Sequence, residues 1–512
     1  MANTRRLICP AILVALCAII IVQRLLTYNE PLERDITSYA VTGNELLHGR
    51  CLYSDLWDHK PPAIHAAYAA ATVLVGYGPQ CVFLLNITCA ILVLLGVYYA
   101  ASAAGFGPAA GLSAAACWTI VSADLGLEAN EPNTELFINV CLVWAFAILV
   151  SAHGSSLRSR SLLLVAVLFS AASLFKPLAI VPAGMMGAAH VGLAPRDTRG
   201  KAIAHVLMML GLVVAAWGVV AAYFAATGRF QAFNDAVFTY NGFYGGSVIR
   251  NLGRSFGLRR LFPHAFLPVQ LVLGALTAAG VAYRMRHTPR YGVFMIAAMV
   301  ATYVQVALPG RFFPHYYQLW LPVLSIGAGI GMVSLMARPR WQFVAACLAL
   351  CALCVYEWSA FALSPDEWSQ RKYGTVFVES RNLGRELDAA LKAGETFYEW
   401  GSESGLYFYS GRRPQTGVFF NYPLIGGPLV DKLTPRVLAD LDRRQPELFI
   451  IHQAYAFSGP ISKWFSTRYQ LFPDRPVRGE FVIYARRGGR LANWPPPDRS
   501  TDQPKQAKRI GL

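Results

Sequence analysis

The sequence predicts an α-helical polytopic membrane protein with a small α/β domain at its C-terminal end. Three observations predict it. Of the 512 residues, 55% are apolar and only 14% are charged, against about 25% charged in soluble domains. The apolar residues gather in runs long enough to cross a bilayer, and Arg and Lys gather in the short connections between them, the positive-inside pattern of multi-span proteins. After residue 363 the composition changes, and short runs rich in Phe, Tyr and Ile alternate with helix-like ones. The net charge of +16 therefore does not point to nucleic acid. All cysteines but Cys51 lie within apolar runs, so neither a disulfide framework nor a Cys-based metal site is indicated.

Arg5 and Arg6 precede the apolar run 7–26, which is long enough to span. It is long for a signal peptide and lacks a clear small-x-small cleavage site, so it reads as an uncleaved first helix. Further spans are expected near 79–101, 107–123, 135–152, 161–175, 177–194, 202–226, 265–283, 291–308, 318–336 and 342–363, about eleven in all. The run 62–76 is short, and charge decides its path. If it does not cross, Arg5, Arg6, Arg158, Arg160, Arg196, Arg199, Lys201, Arg284, Arg286, Arg290, Arg338 and Arg340 share the inner side with one acid, Asp197. If it crosses, every one of those loops after the N-terminus flips outward, against the positive-inside rule. The run 62–76 is therefore read as an interfacial or re-entrant helix. Lys176-Pro177 separates two spans, because proline cannot continue the helical hydrogen-bond ladder.

The resulting topology has a cytoplasmic N-terminus in the plasma (inner) membrane. It places 27–61, 124–134, 227–264, 309–317 and the chain after 364 on the outer face. The domains expected are 1–363, transmembrane; 364–489, an extracytoplasmic α/β domain; and 490–512, a disordered Gly-, Pro- and Lys-containing tail. Within the second, helices are expected at 374–394 and 433–443, and strands at 396–400, 448–452 and 481–485.

The first outer loop carries Glu30, Glu33, Asp35, Glu45, Asp55 and Asp58 among three bases. A carboxylate at the mouth of an apolar bundle can be poised as a proton acceptor, while for most of these acids a solvated loop is the plainer reading. Asp35 stands out, because it follows the helix exit and opens a helix-like segment, 36–49, that it is placed to cap. In Asp58-His59-Lys60-Pro61-Pro62 the prolines fix the direction of Lys60, which suits it either to a phosphate or to snorkelling toward headgroups. The second loop, 124–135, has four acids and no base. Glu135 begins the next apolar run, at a depth where an unpaired acid is costly. Acids in two loops could hold a divalent cation or an acceptor's hydroxyls and amines; no metal or other cofactor is assigned. Loop 227–264 has five arginines against Asp235, and binding an anionic lipid or a pyrophosphate-like headgroup would account for them. The late loop, GRFFPHYYQ, brings Arg311 and His315 to the membrane edge, among aromatics that also suit an interfacial belt.

The order of these pieces resembles the GT-C superfamily of polytopic glycosyltransferases, and within it the protein O-mannosyltransferase and aminoarabinose-transferase-like branch (bacterial glycosyltransferase family 39/83-like). The carrying residues are RDITSYAVTGNELLHGRCLYSDLWDHKPP in the first loop, EANEPNTELF near 128–137, the Lys176-Pro177 break and GRFFPHYYQLWLP near 310–322. The resemblance implies transfer, with inversion, of a hexosyl or pentosyl unit from a polyprenyl-phosphate carrier to a lipid, glycan or protein acceptor. It implies Asp35 as general base or acceptor-orienting carboxylate, with Glu135 and Glu131 as further catalytic acids. Lys60, Arg311, His315 and Tyr316 are implied around the donor phosphate. Many relatives follow the first aspartate with a second acid; here Ile36 follows, which lowers the expectation of an essential metal. The alternative class is a transporter or flippase of lipid-linked glycans. Transporters tend to place charges at the bilayer midplane and to show repeated halves, neither of which is visible here.

Overall fold

The structure, a computed structural model, describes residues 2–151 and 158–493. Of the tail expected at 490–512, Arg490–Asn493 forms a 3-10 turn and the remainder lies outside the described residues. The chain divides into two compact units, Met1–Val378 with Gly427–Leu429, and Glu379–Gly426 with Val430–Leu512. The boundary falls later than residue 363. Helix Pro365–Tyr373 buries Trp368 and belongs to the membrane unit.

Among the described residues of the first unit, eight helices are long and apolar enough to cross a membrane. The shorter apolar helices 108–121, 159–175 and 177–192 lie where the other three spans are expected. The early elements are α1 (Ala2–Leu26), α2 (Arg34–Leu47), α3 (Ala63–Val75), α4 (Pro79–Ala101), α5 (Pro108–Val121), α6 (Thr134–Ser151) and α7 (Ser159–Phe175). Where helices pack most closely, small residues permit it. A Cβ on Gly280 would lie 2.6 Å from the Gly327 carbonyl, and one on Gly331 would lie 2.0 Å from that of Leu276. Helices Leu267–His287 and Trp320–Leu335 thus meet backbone to backbone.

The chain between α1 and α4 makes no net crossing. Tyr28, just past α1, packs edge-on against Phe83 near the start of α4, with ring centroids 5.1 Å apart. Helix α3 has 13 residues, about as short as α5, and what sets it apart is that the Tyr28–Phe83 contact brings the chain back to the end of the bundle where α1 finishes. It packs on α2 and α4, as the charge argument requires.

The second unit holds a five-stranded sheet of order β1-β2-β5-β3, with β4 pairing β5. Strands β1 (Phe397–Trp400) and β2 (Leu448–His452) are parallel, with helix Val430–Arg444 lying between them in the chain. Strands β3 (Tyr469–Leu471), β4 (Val477–Arg478) and β5 (Phe481–Arg486) pair antiparallel. The three expected strands are present. β3 and β4 span only three and two residues, too few to show a period of two.

Candidate active site

The acids of the first loop are not a solvated fringe. Glu30, Glu33, Glu45 and Asp58 are all buried, and each has a structural task. Glu33, not Asp35, caps α2: its carboxylate accepts from the backbone N–H groups of Asp35 at 2.9 Å and Ile36 at 3.2 Å. Asp35 is thereby left in the first helical turn with its side chain free to face inward. Glu45 pairs with Arg50 at 3.2 Å. Asp58 accepts from the Lys60 backbone N–H at 3.0 Å, and its other oxygen lies 3.3 Å from His65 Nε2. The Tyr53 hydroxyl donates to the Lys60 carbonyl at 2.8 Å. These bonds shape the Asp-His-Lys-Pro-Pro turn and aim Lys60 at Asp35, with 3.6 Å between Nζ and Oδ2.

Helices α2 and α3 cross at Gly43, where a Cβ would lie 2.8 Å from the Ala69 nitrogen. That approach sets the separation between Asp35, on α2, and Lys60, just ahead of α3. The Tyr39 ring lies beneath both residues. Its hydroxyl donates to Asp35 Oδ2 at 3.5 Å, or to Asn133 Oδ1 at 3.4 Å, and Lys60 Nζ stands 5.5 Å from its centroid.

The second pair comes from two helix ends. At the start of α6 Asn133 Oδ1 accepts from the Thr134 N–H at 2.8 Å, and Glu135 falls in the first turn, 1% exposed. Pro177 disfavours helical geometry for the residue before it, and Lys176 is extended (φ −146°, ψ 130°). The break ends α7 and turns the lysine inward. Its ammonium contacts Glu135 Oε1 and stands 4.2 Å from the centroid of the Tyr316 ring; the other Glu135 oxygen accepts from Thr134 Oγ1 at 2.9 Å.

The late loop closes the site. His315 Nδ1 lies 2.9 Å from Glu128 Oε2, and Gln318 donates to the carbonyls of Leu127 and Glu128, tying the second loop to this turn. Glu128 (φ 58°) and Phe312 (φ 54°) both hold left-handed backbone, which costs about 1–3 kcal/mol each and persists where the surroundings dictate it. Arg311 sits at the rim, stacked 4.2 Å from the Tyr244 centroid and donating to the Tyr244 carbonyl at 3.0 Å.

The electrostatics follow. Burial alone would raise the Asp35 carboxyl, but Lys60, then His315, His59 and Lys176, outweigh it and hold the group down to about 2. Burial works against the Lys60 ammonium, and Asp35 and Asp58 more than compensate, keeping it above its ordinary range. Burial and the Lys60 charge lower His59 to about 4, so its imidazole is neutral at pH 7.

Of the residues singled out from sequence, the structure thus assembles Asp35, Lys60, Glu135, His315 and Tyr316, with Arg311 at the edge. Glu131 stands apart. It is bound by Lys372 Nζ at 2.6 Å and the Tyr373 hydroxyl at 3.1 Å, and the same ammonium bridges to Glu30 at 2.5 Å and donates to Asn130 Oδ1 at 3.1 Å. Sequence reasoning missed Lys176 and Lys372 as members of these clusters. The signal for Lys176 was visible: a lysine ending an apolar run at membrane depth. Among the described residues, no three His, Cys, Asp or Glu side chains are grouped to hold a metal ion.

The fold is shared with the solved structures of two membrane proteins, ArnT and the oligosaccharyltransferase AglB. ArnT from Cupriavidus metallidurans superposes in its apo state with a TM-score of 0.60 at 16% identity, and bound to undecaprenyl phosphate with 0.59 at 15%, in each case over 95% of this chain and 98% of that one. The oligosaccharyltransferase AglB from Archaeoglobus fulgidus, in complex with an inhibitory peptide and a dolichol-phosphate, superposes with a TM-score of 0.52 at 12% identity over 88% of this chain and 70% of that one. No protein-family model and no curated protein sequence matches the chain.

Proposed function

We propose that this protein transfers a sugar from a polyprenyl-phosphate-linked donor to a lipid, glycan or protein acceptor, with inversion, on the outer face of the plasma membrane. The observation that carries the reading is the convergence of Lys60, Lys176 and His315 around two carboxylates, Asp35 and Glu135, at one end of the bundle, with Arg311 at the rim. The undecaprenyl phosphate and dolichol-phosphate bound by the two structural neighbours support a carrier of that class.

In the reaction, an acceptor hydroxyl or amine held by Asp35 attacks the anomeric carbon from the face opposite the phosphate. The bond between the anomeric carbon and the phosphate oxygen breaks with its electron pair going to that oxygen, and the acceptor's proton passes to Asp35 or to water. Charge develops on the leaving phosphate, so the fixed cations supply the larger share of the stabilisation. Glu135 holds Lys176 in place, and Glu131 acts through Lys372 as a support for the second loop.

The experiment is reconstitution of the full chain with radiolabelled polyprenyl-phosphate sugars. Asp35→Asn is expected to lose on the order of 10²-fold or more in transfer rate. Full activity in that variant would remove Asp35 from the mechanism, and lipid crossing the bilayer without sugar transfer would instead establish a flippase.

A further inference from the structure

Helix Val248–Ser255 is turned inside out. Its inward residues are polar: Asn251 donates to the carbonyls of Gly245 at 2.6 Å and Leu308 at 2.8 Å, and the Ser255 and Tyr303 hydroxyls are hydrogen-bonded at 2.6 Å. Its outward residues, with those of the turn that follows, are apolar. Ile249 is 85% exposed, Phe256 67% and Leu258 75%, and Val248 and Phe262 are more than half exposed. A helix facing water carries the opposite arrangement.

Arg250, Arg254 and Arg259 are exposed beside these apolar groups, and among the described residues none of the three is in an ion pair. The one acid between 227 and 264 is Asp235, which accepts from Gln231. Arg260 is held back, its guanidinium 4.5 Å from the Phe312 centroid. The segment is flanked by Arg199–Ala226 and Leu267–His287, both long and apolar enough to span, so it lies at the membrane surface.

We propose that residues 248–262 form an in-plane anchor whose apolar side chains enter the acyl boundary and whose arginines recruit anionic phospholipid. The apolar surface excludes water as the occupant. The uncompensated positive charge selects anionic over zwitterionic headgroups.

The test places the photo-cross-linker p-benzoylphenylalanine at Ile249 or Phe256 of the full chain. The protein is reconstituted in phosphatidylcholine vesicles containing a minor fraction of phosphatidylglycerol, with either lipid radiolabelled. Lipid adducts are expected at both positions, with phosphatidylglycerol enriched roughly five-fold or more over its mole fraction, since each surface arginine contributes a factor of about that size. The triple variant Arg250→Gln/Arg254→Gln/Arg259→Gln is expected to keep the lipid adducts and lose the enrichment at an unchanged thermal midpoint. Should that variant fold poorly, raising the salt concentration on the wild-type background is the substitute, because it screens the same attraction. Absence of lipid adducts, or an adduct ratio equal to the lipid mole ratio in the wild type, overturns the proposal. The readout does not involve sugar transfer, so it stands or falls apart from the proposed activity.

Discussion

Replacing Lys176 by Met separates the scaffold from the chemistry at the membrane edge. The lysine side chain is 16% exposed and that of Glu135 1%, so the substitution keeps the stem's volume and leaves a buried carboxylate with a hydrogen bond from the Thr134 hydroxyl and the more distant His315. Removing one partner of a buried pair costs about 3–5 kcal/mol. Because the lysine retains some contact with solvent, the lower end, about 3 kcal/mol, is expected. The readout is the thermal midpoint of the purified protein followed by its tryptophan fluorescence. The double variant Lys176→Met/Glu135→Gln replaces the ion pair with two neutral groups, and most of the lost stability should return. Transfer should not return: the cation beside Tyr316 and Asp35 is still missing, and a fall on the order of 10²-fold is expected to persist. An unchanged midpoint in the single variant would show that the pair contributes nothing to stability. Normal transfer by the double variant would remove Lys176 from the site altogether.

Lys60→Gln should move the acid limb of the pH–rate profile upward. With Lys60 present, Asp35 stays ionised down to about pH 2; without it, burial is opposed only by the more distant cations, and the carboxyl titrates at higher pH, a shift read from kcat/KM between pH 3 and 7. Gly43→Val places a side chain against the Ala69 backbone. It should destabilise by about 1–3 kcal/mol and lower transfer by separating Asp35 from Lys60, whereas Gly49→Ala, at a site with open space around it but positive φ, should lower stability alone. Lys372→Met should cost about 3–5 kcal/mol by stranding Glu30 and Glu131. Glu131→Gln should transfer at close to the wild-type rate per folded molecule, and a loss matching Asp35→Asn would restore Glu131 to the catalytic set.

What the sequence made legible follows from range. The spans, the path of 62–76 and the strands β1, β2 and β5 rest on local composition and on charge counted loop by loop, and both survive without knowledge of contacts. Asp35 and Lys60, which the structure pairs, stood out because each is marked locally, one by a helix exit and the other by two prolines. The cap of α2 was misread because Asp is a favoured cap by residue type and Glu is not, and only the backbone geometry selects the earlier residue. Glu131 was grouped with Glu135 by adjacency, yet Glu131 lies in the loop and Glu135 one helical turn further on, so they face different partners. Lys372 is more than 240 residues from Glu131, and nothing in either neighbourhood announces the other.

The pairing of acids with bases in the site has a consequence for the order of events. Asp35, held down to about 2 by Lys60 and its neighbours, is a weak proton acceptor at neutral pH, because a general base works best with a pKa near the working pH. A phosphate arriving at Lys60 supplies a competing negative charge, and the attraction that lowers Asp35 weakens by the same interaction. Donor binding would therefore raise the basicity of the carboxylate that handles the acceptor. On the proposed function, such a site would activate the acceptor only when a sugar is in place. Water, which could enter whenever the donor is absent, meets a carboxylate that is already neutralised by its lysine.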